Sequence, residues 1–134
     1  MTTAVDSSII LDVLIGTAGQ ESLDALRKAS VEGRLIVCES VMAELRPVFK
    51  DRSTFEQFMT DWGLEFVPGS RESAILAGEM LKRFLERRRE RAGRILADFL
   101  IGAHAKVHAD RLLARDRGYL RDYFSDLKLW DPVS

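Results

Sequence analysis

Short apolar runs alternate with longer stretches of helical periodicity along the whole chain, and this alternation restricts the fold more than any other feature. The strand-like runs are Ala4-Val5, Arg34 to Cys38, Leu64 to Val67 and Arg111 to Ala114, with Leu127 to Trp130 as a fifth candidate. Helical patterns lie between them. Ser7 or Ser8 caps a first helix that turns Ile10, Leu11, Leu14 and Ile15 inward and stops near Gly16 and Gly19. A second helix covers Glu21 to Ser30, and a third covers Ser40 to Leu45 until Pro47 bends or interrupts it. Phe55, Phe58, Met59 and Trp62 fall at spacings of three and four, as do Ala74, Ala77, Leu81, Phe84 and Leu85 in a longer helix from Arg71. A last helix is expected over Arg94 to Val107. Strands alternating with helices predict an α/β fold, a mainly parallel sheet of four or five strands flanked by helices. No linker, repeat or low-complexity tract divides residues 1–134, which read as one domain.

Within this frame, four acids stand among core-forming neighbours. Asp6 closes Thr3-Ala4-Val5, Glu44 lies in Val41-Met42-Ala43-Glu44-Leu45, Asp98 in Ile95-Leu96-Ala97-Asp98-Phe99, and Asp116 follows Leu112-Leu113-Ala114-Arg115. An ionised carboxylate in apolar surroundings is costly unless a cation or strong donors compensate it. Asp6 and Asp116 directly follow strands, and in open parallel sheets active sites gather outside the carboxyl ends of the strands. Asp98 falls in the first turns of its helix, where the dipole favours negative charge. Acidic clusters are suited to hard divalent cations, so the leading expectation is metal-dependent phosphodiester chemistry. Each acid taken singly is equally consistent with a helix cap or an arginine partner; Asp12, Glu39, Asp110 and Asp122 have weaker contexts and read as surface residues.

Composition removes several other classes. The formal charge is 20 − 21 = −1, so any affinity for nucleic acid must come from a local patch. With one cysteine and two histidines there is neither an intrachain disulfide nor a Cys/His zinc site. No stretch approaches the roughly 18 apolar residues of a membrane span, and the start of the chain lacks the basic and apolar regions of a signal peptide. A soluble, cytoplasmic protein is expected.

The ordered segments Ala4-Val5-Asp6-Ser7-Ser8, Val41-Met42-Ala43-Glu44-Leu45, Arg94 to Ala105 around Asp98, and Leu112-Leu113-Ala114-Arg115-Asp116 resemble the motifs of a PIN domain over essentially the whole chain. At this compact length the resemblance is to VapC-type ribonuclease toxins of toxin–antitoxin modules. It implies that Asp6, Glu44, Asp98 and Asp116 form a catalytic Mg²⁺ or Mn²⁺ site acting on RNA, with a VapB-like antitoxin and a second copy of the chain as partners. One position departs from the family: a Ser or Thr often precedes the last acid by two residues, and here that residue is Ala114.

The densest charge run, Lys82 to Arg94, has seven basic residues against two acidic ones, a local net of +5. It reads either as a solvated helix end or as a guide for RNA phosphates, with Arg87, Arg88, Arg89 and Arg94 as candidate contacts. Tyr119 and Tyr123 are candidates for base stacking, although core packing is the stronger expectation for both. His104, six residues past Asp98, falls about 120° around the helix from it and is expected to be hydrogen-bonded or exposed rather than catalytic; His108 is expected in the following turn.

Three alternatives stand beside a nuclease. A receiver domain needs an acidic pair after the first strand, and a haloacid-dehalogenase-type phosphatase needs an Asp two positions after the first; Ser7 and Ser8 occupy those places. A catalytically idle, partner-binding PIN-like domain is the third.

Overall fold

The computed structural model describes residues 1–16, 20–88 and 95–133. Five strands make one sheet: β1 (Thr2–Val5), β2 (Arg34–Val37), β3 (Leu64–Phe66), β4 (Arg111–Leu113) and β5 (Leu129–Trp130). Their order across the sheet is β3-β2-β1-β4-β5, and every neighbouring pair is parallel. Ala4 pairs with Ile36 on one side and Leu112 on the other, so β1 lies at the centre. From β1 the chain steps outward through β2 and β3, then returns to the other side of β1 for β4 and β5. The order therefore reverses between β1 and β4, and the carboxyl ends of those two strands open a crevice.

Seven helices are described: α1 (Ser7–Ile15), α2 (Glu21–Glu32), α3 (Glu39–Leu45), α4 (Arg52–Trp62), α5 (Arg71–Arg88), α6 (Ile95–His108) and α7 (Tyr119–Tyr123). Their ends follow local chemistry. Asp51 caps α4 by accepting the Thr54 N–H at 2.7 Å, and Gly63 closes it at φ 67°, a left-handed geometry that a side chain resists. Pro47 ends α3 by diverting the chain into a 3₁₀ turn at Arg46–Val48. The core between the layers includes Phe84 of α5 and Phe99 of α6, packed edge-on with ring centroids 5.8 Å apart. Gly102 allows α6 to approach α7 closely: a Cβ there would come within 2.7 Å of the Phe124 ring.

Some local expectations change. On α1 the fully buried residues are Ile9 and Ile10, whereas Leu11 and Leu14 are half-buried and Ile15 is 60% exposed. The turn from β1 through Asp6 sets the helix phase and brings Ile9 rather than Leu11 fully into the core. On α5 the inward stripe is Ser73, Ala77, Met80 and Phe84, leaving Ala74 and Leu85 outward. His108 is the last residue of α6 rather than part of a turn, and α7 had no counterpart in the sequence reading.

Candidate active site

Asp6 leaves β1 and enters α1. Its N–H donates to Leu113 O at 2.9 Å, which extends the β1–β4 pairing, and its φ/ψ of −78°/153° is that of an N-cap. Its carboxylate accepts the Ser8 N–H at 3.3 Å and the Ser8 hydroxyl. Burial pushes the Asp6 carboxyl above its ordinary pKa; the donors of Ser8 and Ser7 and the charge of Arg117 oppose that shift without cancelling it.

Asp116 follows β4 and is held from several sides. Its Oδ1 accepts the N–H groups of Gly118 at 2.9 Å and Leu120 at 3.2 Å, tying down the start of α7, while its Oδ2 lies 3.4 Å from Arg121 Nε. Its own N–H donates to Asp131 at 3.0 Å. Asp116 thus has an arginine partner, and it accepts amides at the start of α7 although Gly118 holds the N-cap position there. Asp98 stands in the first turn of α6 and is half-buried.

Asp6, Asp98 and Asp116 line one small cavity with Arg115 and Arg117 beside them, and Ile101, Tyr119 and Leu120 supply its apolar wall. The cavity holds about 10 Å³, room for about one water or ion. It lies at the carboxyl ends of β1 and β4, where the strand order reverses. Glu44 is not part of this lining. It is exposed on α3 and reaches the site's edge by accepting the Ser7 hydroxyl at 3.2 Å. Three of the four acids therefore share one cavity, and the fourth stands one hydrogen bond from the neighbour of Asp6.

Carboxylate oxygens are hard donors suited to Mg²⁺ or Mn²⁺. Among the described residues no three Asp, Glu, His or Cys side chains are arranged to enclose an ion. The acids lining the cavity could supply one or two direct ligands to a cation at its mouth, with solvent water as the remaining ligands, a mode that Mg²⁺ favours. Asp6 would gain from such a charge, because burial keeps its pKa raised despite the donors around it.

Asp12, which the sequence placed at the surface, is only 5% exposed. It accepts from Arg115 Nη1 at 3.0 Å and from the Ser22 hydroxyl at 2.7 Å. The Arg115 N–H in turn donates to Ser8 Oγ at 3.2 Å, the same hydroxyl that donates to Asp6. Ala114 is fully buried and its N–H donates to Trp130 O at 3.1 Å, so the hydroxyl bridging the first and last acid segments comes from Ser8.

The remaining candidates stand outside the cavity or in its wall. His104 is buried with Nε2 2.7 Å from Val67 O, and burial lowers its pKa. Tyr119 and Tyr123 pack edge-on against Phe84 and Phe99, Tyr119 also facing the cavity. Arg87 lies over the Tyr123 ring at 5.6 Å and Arg88 ends α5, whereas Arg89 and Arg94 fall outside the described residues.

Three solved structures illustrate the likeness of the fold. One is VapBC2 from Rickettsia felis bound to a DNA fragment from its promoter, with a TM-score of 0.69, 20% identity, and 97% of this chain and 98% of the other covered. Another is FitAB bound to an IR36 DNA fragment, with a TM-score of 0.72, 19% identity and 98% and 96% covered. The third is VapBC-1 from nontypeable Haemophilus influenzae, with a TM-score of 0.71, 16% identity and both chains fully covered. No protein of curated function matches the sequence. The PIN domain family matches residues 3–124, a span that takes in Asp6, Glu44, Asp98 and Asp116 and runs from β1 through α7, and the chain belongs to that family.

Proposed function

We propose that this PIN domain is a Mg²⁺- or Mn²⁺-dependent endoribonuclease and the toxin component of a toxin–antitoxin pair. The observation that carries this reading is the sharing of one ion-sized cavity by Asp6, Asp98 and Asp116 at the switch point of the sheet. One or two of these would hold the cation directly and the others through water, with Glu44 joining through Ser7 or through water. When bound, the cation supplies Lewis acidity and lowers the pKa of the attacking water. The chain's own part is positioning: Ser8 orients Asp6, the Gly118 and Leu120 amides and Arg121 fix Asp116, and Ile101 with Leu120 limits water around the acids. Arg87, Arg88, Arg89 and Arg94 would draw RNA phosphates toward the site over a longer range.

A VapB-like antitoxin is the partner this reading assigns, supported by the VapBC and FitAB assemblies in which similar folds were solved. Action in the cytoplasm follows from an RNA target, and no helix among the described residues is long and apolar enough to cross a membrane. A homodimer is supported by apolar surface that the core leaves outside, notably Ile75 and Leu85 on α5.

A catalytically idle, partner-binding domain is the second reading, favoured by the engagement of both Asp116 oxygens within the protein. Incubating the purified protein with single-stranded and looped RNAs in EDTA, Mg²⁺ or Mn²⁺ separates the two. Cleavage that requires the metal and disappears in Asp6→Asn supports the nuclease. Intact RNA under every condition, from protein that still captures its antitoxin, supports the idle domain.

A further inference from the structure

The segment that carries Asp116 holds three arginines, and their surroundings differ. Arg115 is bound through its guanidinium to the buried Asp12 and through its N–H to Ser8. Arg121 pairs with Asp116 across 3.4 Å. Arg117 lies between them, exposed, lining the same cavity as Asp6, Asp98 and Asp116, and its charge reaches Asp6 through space. Among the described residues no hydrogen bond or ion pair engages it.

The backbone around it is anchored on both sides. Residue 115 is bonded to α1 and residue 116 to Asp131, while Gly118 takes a left-handed φ of 100° and donates to Asp116. A side chain presented from a held turn loses less freedom on binding than one on a loose loop. A guanidinium offers a planar fork of donors that matches a phosphate. At this rim the positive charge also offsets the repulsion that three nearby carboxylates exert on a polyanion.

We propose that Arg117 contacts a backbone phosphate of single-stranded RNA at the rim of the acidic cavity, while Arg115 and Arg121 serve to hold the turn that presents it. The assignment rests on the ribonuclease reading and adds to it a substrate contact.

The test measures binding of a fluorescent single-stranded RNA oligomer across a salt series with Mg²⁺ present, in an Asp98→Asn background that suppresses turnover. The affinity for Mn²⁺ alone and the melting temperature are recorded on the same proteins. Arg117→Gln is expected to weaken RNA binding several-fold at low salt and to reduce the slope of log K against log salt by about 0.7, the share of one phosphate on a single strand. Its melting temperature stays unchanged, and its Mn²⁺ affinity is unchanged or higher because a cation has left the neighbourhood of Asp6. Arg117→Lys keeps the slope. Arg115→Gln and Arg121→Gln lower the melting temperature and leave the slope intact.

If the parent protein binds RNA and Arg117→Gln binds it with the same affinity and slope, the Arg117 contact is refuted and the ribonuclease reading survives. A changed Mn²⁺ affinity with unchanged RNA binding also refutes it, because Arg117 would then act only through Asp6. An equal loss of slope in Arg115→Gln or Arg121→Gln overturns the division between holding and contacting. A parent protein that binds no RNA overturns both the contact and the ribonuclease reading.

Discussion

Replacing Asp12 by Ala should destabilise the protein well beyond what an exposed acid would cause, and its effect should reach the active site. Two interactions disappear. Ser22 is fully buried and loses the acceptor that its hydroxyl reaches at 2.7 Å; a buried donor left without a partner costs about 1–3 kcal/mol. The bond from Arg115 is charge-assisted, but that side chain is 44% exposed and recovers water, so about 1 kcal/mol is a reasonable share. The sum is about 2–4 kcal/mol. An unfolding entropy of about 2.1 cal/mol/K per residue gives roughly 0.3 kcal/mol/K for a domain this size, hence a fall in Tm of about 7–14 °C. Calorimetry on Asp12→Ala, Arg115→Ala and the double variant measures this directly, and the double variant should lose less than the sum of the singles. RNA cleavage should decline in Asp12→Ala well below its Tm, because the turn bearing Asp116 then keeps the Arg115 N–H to Ser8 as its tie to α1 but loses the guanidinium. A Tm shift under 2 °C, or strictly additive losses, would show that the pair holds nothing in place.

Asp98→Asn should nearly abolish cleavage while leaving the apo protein's Tm unchanged or raised, since one charge leaves a cavity shared by three aspartates; a collapse in Tm would mark Asp98 as structural. Burial lowers the His104 pKa from 6.5, so the folded state binds this proton less readily than the unfolded state. The resulting stability is present above pH 6.5 and is lost as the pH falls from there through the lowered folded value, and denaturant melts of His104→Gln should show a flatter pH dependence than the parent in that window. Light scattering at micromolar concentration should show a dimer, and Ile75→Glu should shift it toward monomer; a parent that is monomeric throughout would remove self-association from the reading.

The strands were legible because a parallel strand covered on both faces reads as an apolar run. Leu35-Ile36-Val37 and Leu112-Leu113 have no alternative place to go. Helix faces were less legible. The phase of α1 is set by the hydrogen bond of Asp6 to Leu113, a partner 107 residues away, and local spacing favoured Leu11 over Ile9. Helix α7 is five residues long, tethered at its start by Asp116 and packed through its tyrosines on Phe84 and Phe99, so tertiary contacts rather than propensity support it. Asp12 stands in Leu11-Asp12-Val13, a context as apolar as those of the four chosen acids. What distinguishes it is Arg115, 103 residues further on, which sequence reading cannot pair with it.

The same limit separates the acids that share the cavity. Their local contexts are alike, yet the structure compensates them unequally. Asp116 has two backbone donors and an arginine, so its charge is largely satisfied before any ligand arrives. Asp6 leans on Ser8 and the distant field of Arg117, and burial still raises its pKa. A divalent cation entering this cavity would therefore gain more from Asp6, whose desolvation is already incurred in folding, than from Asp116, on which it would depend mainly for direction. Asp116 shapes the turn, Asp6 supplies the uncompensated charge, and Arg117 is left available on the rim. The division explains how a helix cap and a turn anchor can also form a binding site: the hydrogen bonds that make Asp6 and Asp116 look structural are the ones that fix where their remaining lone pairs lie.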